Sequence, residues 1–289
     1  MATLLALKSR IRTARNVSKT TKAMQMIAAS KLKRAQSATL SSRPYADKLS
    51  AVSKNLIFKL EEENYHAYMK TSEKADKTLL IVFAPDKGLC GSLPTSIENE
   101  LYKISTASKD RLFIVAIGKK IQNTLKSLQN EVIASFELGT QIPSFDMVYP
   151  VLQIVDDYFL KEKAASVKIL FPKFSSLFSQ SPQLETLLPI DVSTEKPEEI
   201  SDFTLFEPDA PEIIPTLLRH YIETLLHQYL LETYLSEQAA RMLSMKNATD
   251  NATDIIESLE LEYNKSRQEK ITSELLSSSG GGMSQYANQ

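Results

Sequence analysis

The fold is decided by residues 216–279, TLLRHYIETLLHQYLLETYLSEQAARMLSMKNATDNATDIIESLELEYNKSRQEKITSELLSSS, a stretch that contains neither glycine nor proline. Apolar residues recur in it at steps of three and four, which is the spacing of one face of an α-helix. They are Leu218, Tyr221, Leu225, Tyr229, Leu235, Ala239, Met242, Ala252, Ile256, Leu259 and Tyr263. Pro208 and Pro215 supply a stop and a start signal. The pattern predicts one long C-terminal helix over 209–279, followed by a flexible Ser- and Gly-rich tail over 280–289.

The N-terminal segment, 1–60, has a similar apolar stripe. Its members are Leu4, Leu7, Ile11, Ala14, Val17, Thr21, Met24, Ala28, Leu32 and Ala35. The drift in their spacing predicts a stutter, and Pro44 should kink the helix or divide it. Both stripes are rich in Ala, Thr and Met, so neither favours a strong homodimer. The two terminal helices are therefore expected to pair with each other as an antiparallel coiled coil.

Between the helices, residues 75–195 change to short β-rich runs separated by helical stretches. The runs are Thr78 to Ala84, Arg111 to Gly118, Glu131 to Leu138 and Ser166 to Phe171. This alternation predicts a Rossmann-like α/β domain with a mostly parallel sheet. Glu185 to Asp191 would add an edge strand, and Glu195 to Pro215 would form the linker to the last helix.

Composition limits the possible functions. The 289 residues are 43% hydrophobic with a net charge of -1, and the apolar runs are far shorter than the ~20 residues of a membrane span. A signal peptide is not apparent, so we expect a soluble, uncleaved chain. Cys90 is the single cysteine, which excludes an intramolecular disulfide and favours a reducing compartment. Residues 1–46 carry ten Lys or Arg and no acid, which predicts an acidic partner, nucleic acid or anionic lipid.

Catalytic and ligand-binding patterns are weak. Asp86-Lys87-Gly88-Leu89-Cys90-Gly91 follows a predicted strand, but it has too few glycines for a phosphate loop and predicts a tight turn with glycine at positive φ. The three histidines, His66, His220 and His227, and Cys90 are expected to be packing or surface residues. Glu257, Glu260 and Glu262 suggest a solvated face that pairs with the basic N-terminal helix. We therefore expect no catalytic residue, no cofactor and no metal.

Three blocks of sequence go beyond periodicity. They are KTTKAMQMIAASKL over 19–32, DKGLCG over 86–91, and a C-terminal set of SEQAARM over 236–242, NATDNA over 247–252 and LEYNKSRQ over 261–268 with Ile271-Thr272. In this order they resemble the γ subunits of F-type ATP synthase, over the whole chain. Departures from that family are Phe83-Ala84-Pro85, Ser92 and the polar tail from Leu275. The absence of a cysteine-bearing insert or presequence favours a bacterial protein.

The resemblance implies a central-stalk rotor subunit of the F1 sector, which couples proton translocation to ATP synthesis or hydrolysis at the β subunits and is not itself catalytic. The implied partners are the α and β subunits, ε and the c-ring of the membrane sector, without nucleic acid or a small-molecule substrate. The implied location is the cytoplasmic side of the bacterial inner membrane, as a peripheral protein.

The resemblance also implies site residues. Rotor–stator contacts would lie at Lys22, Met24, Arg241, Gln268 and Thr272, and a basic helix facing acidic β loops would carry Lys8, Arg10, Arg12, Arg15 and Lys19. Each position could instead serve coiled-coil packing or lie in solvent.

Three other functional classes stay open from the residues alone. They are a nucleic-acid-binding coiled coil, a nucleotide-binding α/β enzyme and a self-associating scaffold. The first lacks aromatic platforms and the second lacks a phosphate loop.

Overall fold

The computed structural model describes residues 3–58, 60, 63, 65–70, 75–108, 112–128, 130–190, 207 and 209–283, without the side chains of 210 and 277–283. The chain forms two compact units. The helical unit comprises residues 1–27 and 244–289, and the sheet unit comprises residues 28–243. The compact units divide both long helices, and the ranges 1–60, 75–195 and 209–279 stay predictions as domain bounds.

Two long helices are confirmed at the ends of the chain. Helix α1 spans Leu4–Phe58 and helix α5 spans Ala210–Met283. Helix α1 continues through Pro44, so the predicted alternative of a division is wrong. Leu40, whose carbonyl loses its helical donor at that proline, is 65% exposed and can bind water instead. Helix α5 begins within the predicted linker, with Pro215 inside it, and includes residues 280–283 of the predicted tail. Residues 195–206 and 284–289 lie outside the described ranges.

In the helical unit, α1 and α5 pair in antiparallel fashion, as predicted. Thr21 lies opposite Thr249 with 2.8 Å between their hydroxyl oxygens, and Arg15 pairs with Glu260 further along. In this unit the buried and half-buried positions of α1 are Leu4, Leu7, Ile11, Ala14, Ser18, Thr21 and Gln25. These alternate by four and three without interruption, so the predicted stutter is wrong here. The regular heptad passes through polar Ser18 and Gln25, and it leaves Val17 and Met24 exposed.

Among its described residues, the sheet unit contains five strands, three shorter α-helices and two single-turn 3-10 helices, Ala67–Met69 and Phe145–Met147. The strands are β1 Thr78–Phe83, β2 Leu112–Ile117, β3 Glu131–Phe136, β4 Ser166–Phe174 and β5 Gln180–Leu188, and the helices are α2 Leu93–Ala107, α3 Gln122–Ser127 and α4 Val148–Phe159. The sheet order is β3-β2-β1-β4-β5. The first four strands pair in parallel and β5 is antiparallel to β4, which confirms the predicted Rossmann-like, mostly parallel sheet. Strand β5 begins five residues before the predicted edge strand. The prediction missed its first half because those residues are polar and half-buried and so lack an apolar strand pattern.

Both faces of the sheet are covered by helices. Leu79, Ile81 and Phe83 of β1 belong to the core shared with α1, α4 and α5. Leu80 and Val82 point to the opposite face, toward α2 and α3. Because β1 is buried on both faces, its sequence is a continuous apolar run rather than an alternating one.

Candidate functional site

The predicted basic residues lie exposed on α1 of the helical unit. Lys8, Arg12, Arg15 and Lys19 are spaced by four, three and four residues, so they form one stripe, and Arg10 is exposed beside it. The stripe borders a shallow groove of about 510 Å³. Arg15 is paired with Glu260 of α5, one of the three acidic residues predicted to face this helix. The stripe presents positive charge, and salt would screen its attraction to an acidic partner.

Two further predicted contact residues of α1, Lys22 and Met24, are also exposed. Met24 is 38% exposed, although its apolar character had placed it in the predicted helix seam. Gln25 takes the seam position instead, and its Oε1 is buried without a hydrogen-bond partner in the described part of the chain. The regular heptad thus turns the apolar Met24 outward.

Gln268 and Thr272 lie one turn apart on the exposed surface of α5. The Thr272 hydroxyl donates to the Gln268 carbonyl oxygen over 3.0 Å. Together they border a shallow groove of about 520 Å³ with Lys265, Glu269, Ser273 and Leu276. The Gln268 amide remains available to bind a partner, as a predicted contact residue requires.

Arg241 differs from the other predicted contact residues because its guanidinium is engaged within the sheet unit. Its side chain is 15% exposed. Nη2 lies 2.5 Å from Glu237 Oε1 and 3.2 Å from the Lys87 carbonyl, and Nε donates to the Gly88 carbonyl over 3.3 Å. Nη1 donates to Gln238 Oε1 over 3.2 Å. We call Arg241, Glu237 and the two carbonyls the Arg241 clamp.

Glu237 is a functional candidate that the sequence analysis missed. Its side chain is 2% exposed, and burial raises its pKa while the Arg241 guanidinium lowers it. The available signal was the spacing of Glu237 and Arg241, because residues four apart on a helix face each other. The clamp joins α5 to the turn over 86–91, which follows β1.

The turn itself is held by buried polar contacts at the carboxyl ends of three strands. The Asp86 carboxylate accepts hydrogen bonds from the Lys119 amide at 2.9 Å and the Gly139 amide at 2.6 Å. Parallel α/β sheets usually bind ligands at this edge. Here Asp86 ties the loops after β2 and β3 to the turn, and the clamp adds α5.

Glycine at positive φ was predicted for this turn, and Gly91 confirms it with φ 61°. Leu89 also has a positive φ, 62°, which a residue with a Cβ adopts only at a cost. Cys90 is buried, and burial raises the pKa of its thiol, so its reactive thiolate is disfavoured.

The histidines make structural contacts. His66 Nδ1 accepts from the Tyr68 amide, His220 lies between Tyr45 and Glu223, and His227 Nε2 faces the Pro143 carbonyl. Within the described ranges, no three His, Cys, Asp or Glu side chains cluster closely enough to hold a metal ion. Of the helices in those ranges, none combines the length and the apolar composition that a membrane span requires.

Comparison with known proteins places this arrangement in a family. The ATP synthase family model matches residues 3–282. The ATP synthase gamma chain of Ruthia magnifica subsp. Calyptogena magnifica is 36% identical over 280 residues, which is 95% of this chain and 96% of the relative. That of Polaromonas sp. is 38% identical over 283 residues, again covering 95% and 96%.

Solved structures agree on the fold. A cryo-EM structure of the Tetrahymena thermophila mitochondrial ATP synthase central stalk and c-ring matches with a TM-score of 0.61 and 25% identity, covering 79% of this chain and 98% of that one. A chain of the Euglena gracilis mitochondrial enzyme matches with a TM-score of 0.70 and 17% identity, covering 98% and 95%. With the two paired terminal helices, the covered parallel sheet and the near-complete sequence matches, the chain belongs to the ATP synthase gamma chain family.

Proposed function

We propose that this chain is the central-stalk rotor subunit of an ATP synthase, and that it couples proton translocation to ATP synthesis or hydrolysis at β subunits without catalysing a reaction itself. One observation carries the proposal. The helical unit exposes ten large apolar side chains, among them Leu5 at 81% and Leu261 at 73%. Among its described side chains, it buries only four apolar ones. Apolar side chains exposed in such numbers on one pair of helices support a surface that a partner protein covers.

The partners proposed for this surface are the α and β subunits of F1. The basic stripe supports acidic β loops as neighbours, since charge contacts act over longer distances than close packing does. Lys22, Met24, Gln268 and Thr272 are exposed and are proposed as rotor–stator contacts. ε and the c-ring are the further proposed partners. The proposed location is the cytoplasmic face of a bacterial inner membrane, as a peripheral protein.

Rotation drives catalysis only through differential contacts. A shaft that binds two β conformations equally tightly cannot change their populations. The contacts at Gln268 and Thr272 must therefore differ in strength between successive β states. This requirement can be tested, because loss of such a contact should lower turnover without abolishing assembly.

The experiment is MgATP hydrolysis by the cognate α and β subunits, purified with and without this chain. We expect a stable complex and rapid turnover only with the chain. A Gln268→Ala/Thr272→Val variant should still assemble but lose on the order of tenfold in turnover, a contact energy of about 1.4 kcal/mol. Lys270→Ala is the control, because Lys270 does not border the Gln268–Thr272 groove. Failure of the wild-type chain to bind α and β would refute the rotor assignment.

A further inference from the structure

The Arg241 clamp is a polar site whose groups point inward. The predicted contact residues of the helical unit are exposed, whereas Arg241 is largely covered in the sheet unit. All three guanidinium nitrogens make hydrogen bonds inside the chain. A partner subunit would have to displace these bonds before it could bind the guanidinium.

Glu237 makes the ion pair of the clamp difficult to break. A carboxylate that is 2% exposed is destabilising unless a cation faces it, and Arg241 lies 2.5 Å away. The second oxygen, Oε2, is buried and has no hydrogen-bond partner among the described residues. The Asp86 carboxylate also raises the Glu237 pKa, and the Asp86 backbone lowers it. Glu237 therefore depends on Arg241 for most of its compensation.

The carbonyls in the clamp belong to a constrained segment. Lys87 and Gly88 lie between Asp86, whose carboxylate ties two further loops, and Leu89, which has a positive φ. A planar guanidinium can reach two successive carbonyls and a carboxylate at once, which an ammonium does with poorer geometry. The clamp thus fixes the orientation of the turn against α5.

We propose that Arg241 is a positioning residue that fixes the turn over 86–91 to helix α5, so that torque passes between the sheet and the helix without slippage. This proposal rests on the rotor function proposed above. It differs from the implied role of Arg241 as a direct contact with a stator subunit. Helix and sheet are also joined by apolar packing, which resists separation but has little directional preference. The directional hydrogen bonds of the clamp resist sliding along the helix axis.

The test uses the assembled ATP synthase in lipid vesicles, with Arg241→Ala, Arg241→Lys and Glu237→Gln. Lys161→Ala is the control, because Lys161 forms an exposed i,i+4 pair with Asp157 on α4. Three quantities are measured: ATP hydrolysis, vesicle acidification per ATP hydrolysed, and hydrogen exchange of the amides of residues 87–91.

We expect Arg241→Ala to speed exchange at 87–91 by on the order of tenfold, because the turn opens locally more often. Acidification per ATP should fall at least about twofold, since the turn no longer couples helix and sheet firmly. Arg241→Lys should fall between wild type and Arg241→Ala, and Glu237→Gln should change both quantities in the same direction as Arg241→Ala. Lys161→Ala should change neither.

Two outcomes would overturn the proposal. Lower turnover with unchanged exchange at 87–91 would mean that Arg241 acts directly on a partner subunit. Faster exchange with unchanged acidification per ATP would mean that the clamp only packs the fold. If Arg241→Ala does not assemble, hydrogen exchange at 87–91 and acidification per ATP are compared in Arg241→Lys and Glu237→Gln, and the same two outcomes would overturn the proposal. Failure of the rotor function itself would already appear with the wild-type chain, as a failure to bind α and β.

Discussion

The helical unit and the sheet unit differ in where their apolar side chains lie. Among its described side chains, the helical unit buries Leu7, Ile11, Met245 and Ala252, while ten large apolar side chains remain exposed. In the sheet unit, β2 is buried along its whole length and β1 is buried from Leu79 to Phe83. The comparison indicates that the sheet unit is stabilised by its own core. The helical unit presents surface that a partner can cover.

A second difference concerns polar side chains. The helical unit places Ser18, Thr21 and Gln25 in its seam, so the heptad is regular but weakly apolar. The sheet unit buries Asp86 and Glu237, and each of them is compensated by specific partners. Changes in the sheet unit should therefore mainly alter the free energy of unfolding, and changes in the helical unit should mainly alter assembly.

The largest expected effect is that of Gly118→Ala in the sheet unit. Gly118 has φ +117°, and a Cβ there would lie 2.0 Å from the Ala84 carbonyl oxygen. We expect a loss of about 4 kcal/mol or more in the free energy of unfolding, measured by urea denaturation with circular dichroism. Gly139→Ala is the control, because its φ is +83° but nothing lies within 4 Å of the added Cβ, and it should cost only about 1 kcal/mol. Equal effects of the two substitutions would contradict the steric argument.

The next effect compares the same substitution in the two units. Ile81→Ala, at a side chain that is 0% exposed, should lower the free energy of unfolding by about 3 kcal/mol. Ile271→Ala, at a side chain that is 48% exposed, should change it by less than about 0.5 kcal/mol. Binding to α and β, measured by surface plasmon resonance, should instead weaken for Ile271→Ala. The comparison of units fails if Ile271→Ala unfolds as easily as Ile81→Ala.

A smaller effect concerns the basic stripe. Lys8→Gln, Arg12→Gln and Lys19→Gln combined should leave unfolding nearly unchanged, since all three side chains are exposed. Association with α and β should slow by about tenfold at low salt, and less at high salt because ions screen the charges. The matched control combines Lys33→Gln, Lys54→Gln and Lys126→Gln, three exposed lysines of the sheet unit. A similar slowing in the control would indicate a net-charge effect without a local stripe.

The smallest expected effect is on pH dependence. Burial lowers the pKa of His227 in the folded chain below the ordinary histidine value of 6.5. Neutral His227 is therefore favoured by folding, and its contribution to stability is present above pH 6.5 and is lost as the pH falls through the lowered pKa. His227→Gln should flatten the decline of unfolding free energy in that window, measured by denaturation at a series of pH values. An unchanged slope would show that His227 is not protonated on unfolding there.

Much of the fold could be predicted from local sequence. The four parallel strands and both terminal helices were located by periodicity, since residues 1–87 contain no glycine and residues 216–279 contain neither glycine nor proline. Strand β5 was placed too late because an edge strand needs few apolar residues. The stutter was predicted because apolar residues were counted, whereas the true heptad includes Ser18 and Gln25. The apolar or polar character of a residue therefore did not identify the positions in the helix–helix seam, because the helical repeat decides which positions face the partner helix.

The candidate site was only partly predictable. The exposure of Lys8, Arg12, Lys22, Gln268 and Thr272 agrees with their predicted availability to partners, and their roles remain predictions. Arg241 was grouped with them, although its guanidinium faces the turn of its own sheet unit. Glu237 was missed because a glutamate on a long polar helix resembles any solvated residue.

The sequence by itself determined the helical ends, the parallel sheet and the family, because periodicity and contiguous motifs depend only on neighbours along the chain. Only the tertiary structure decided which polar residues are buried and what they contact. Arg241 meets Lys87 and Gly88 across more than 150 positions. No local pattern encodes such a contact, since it arises where the turn after β1 packs against α5.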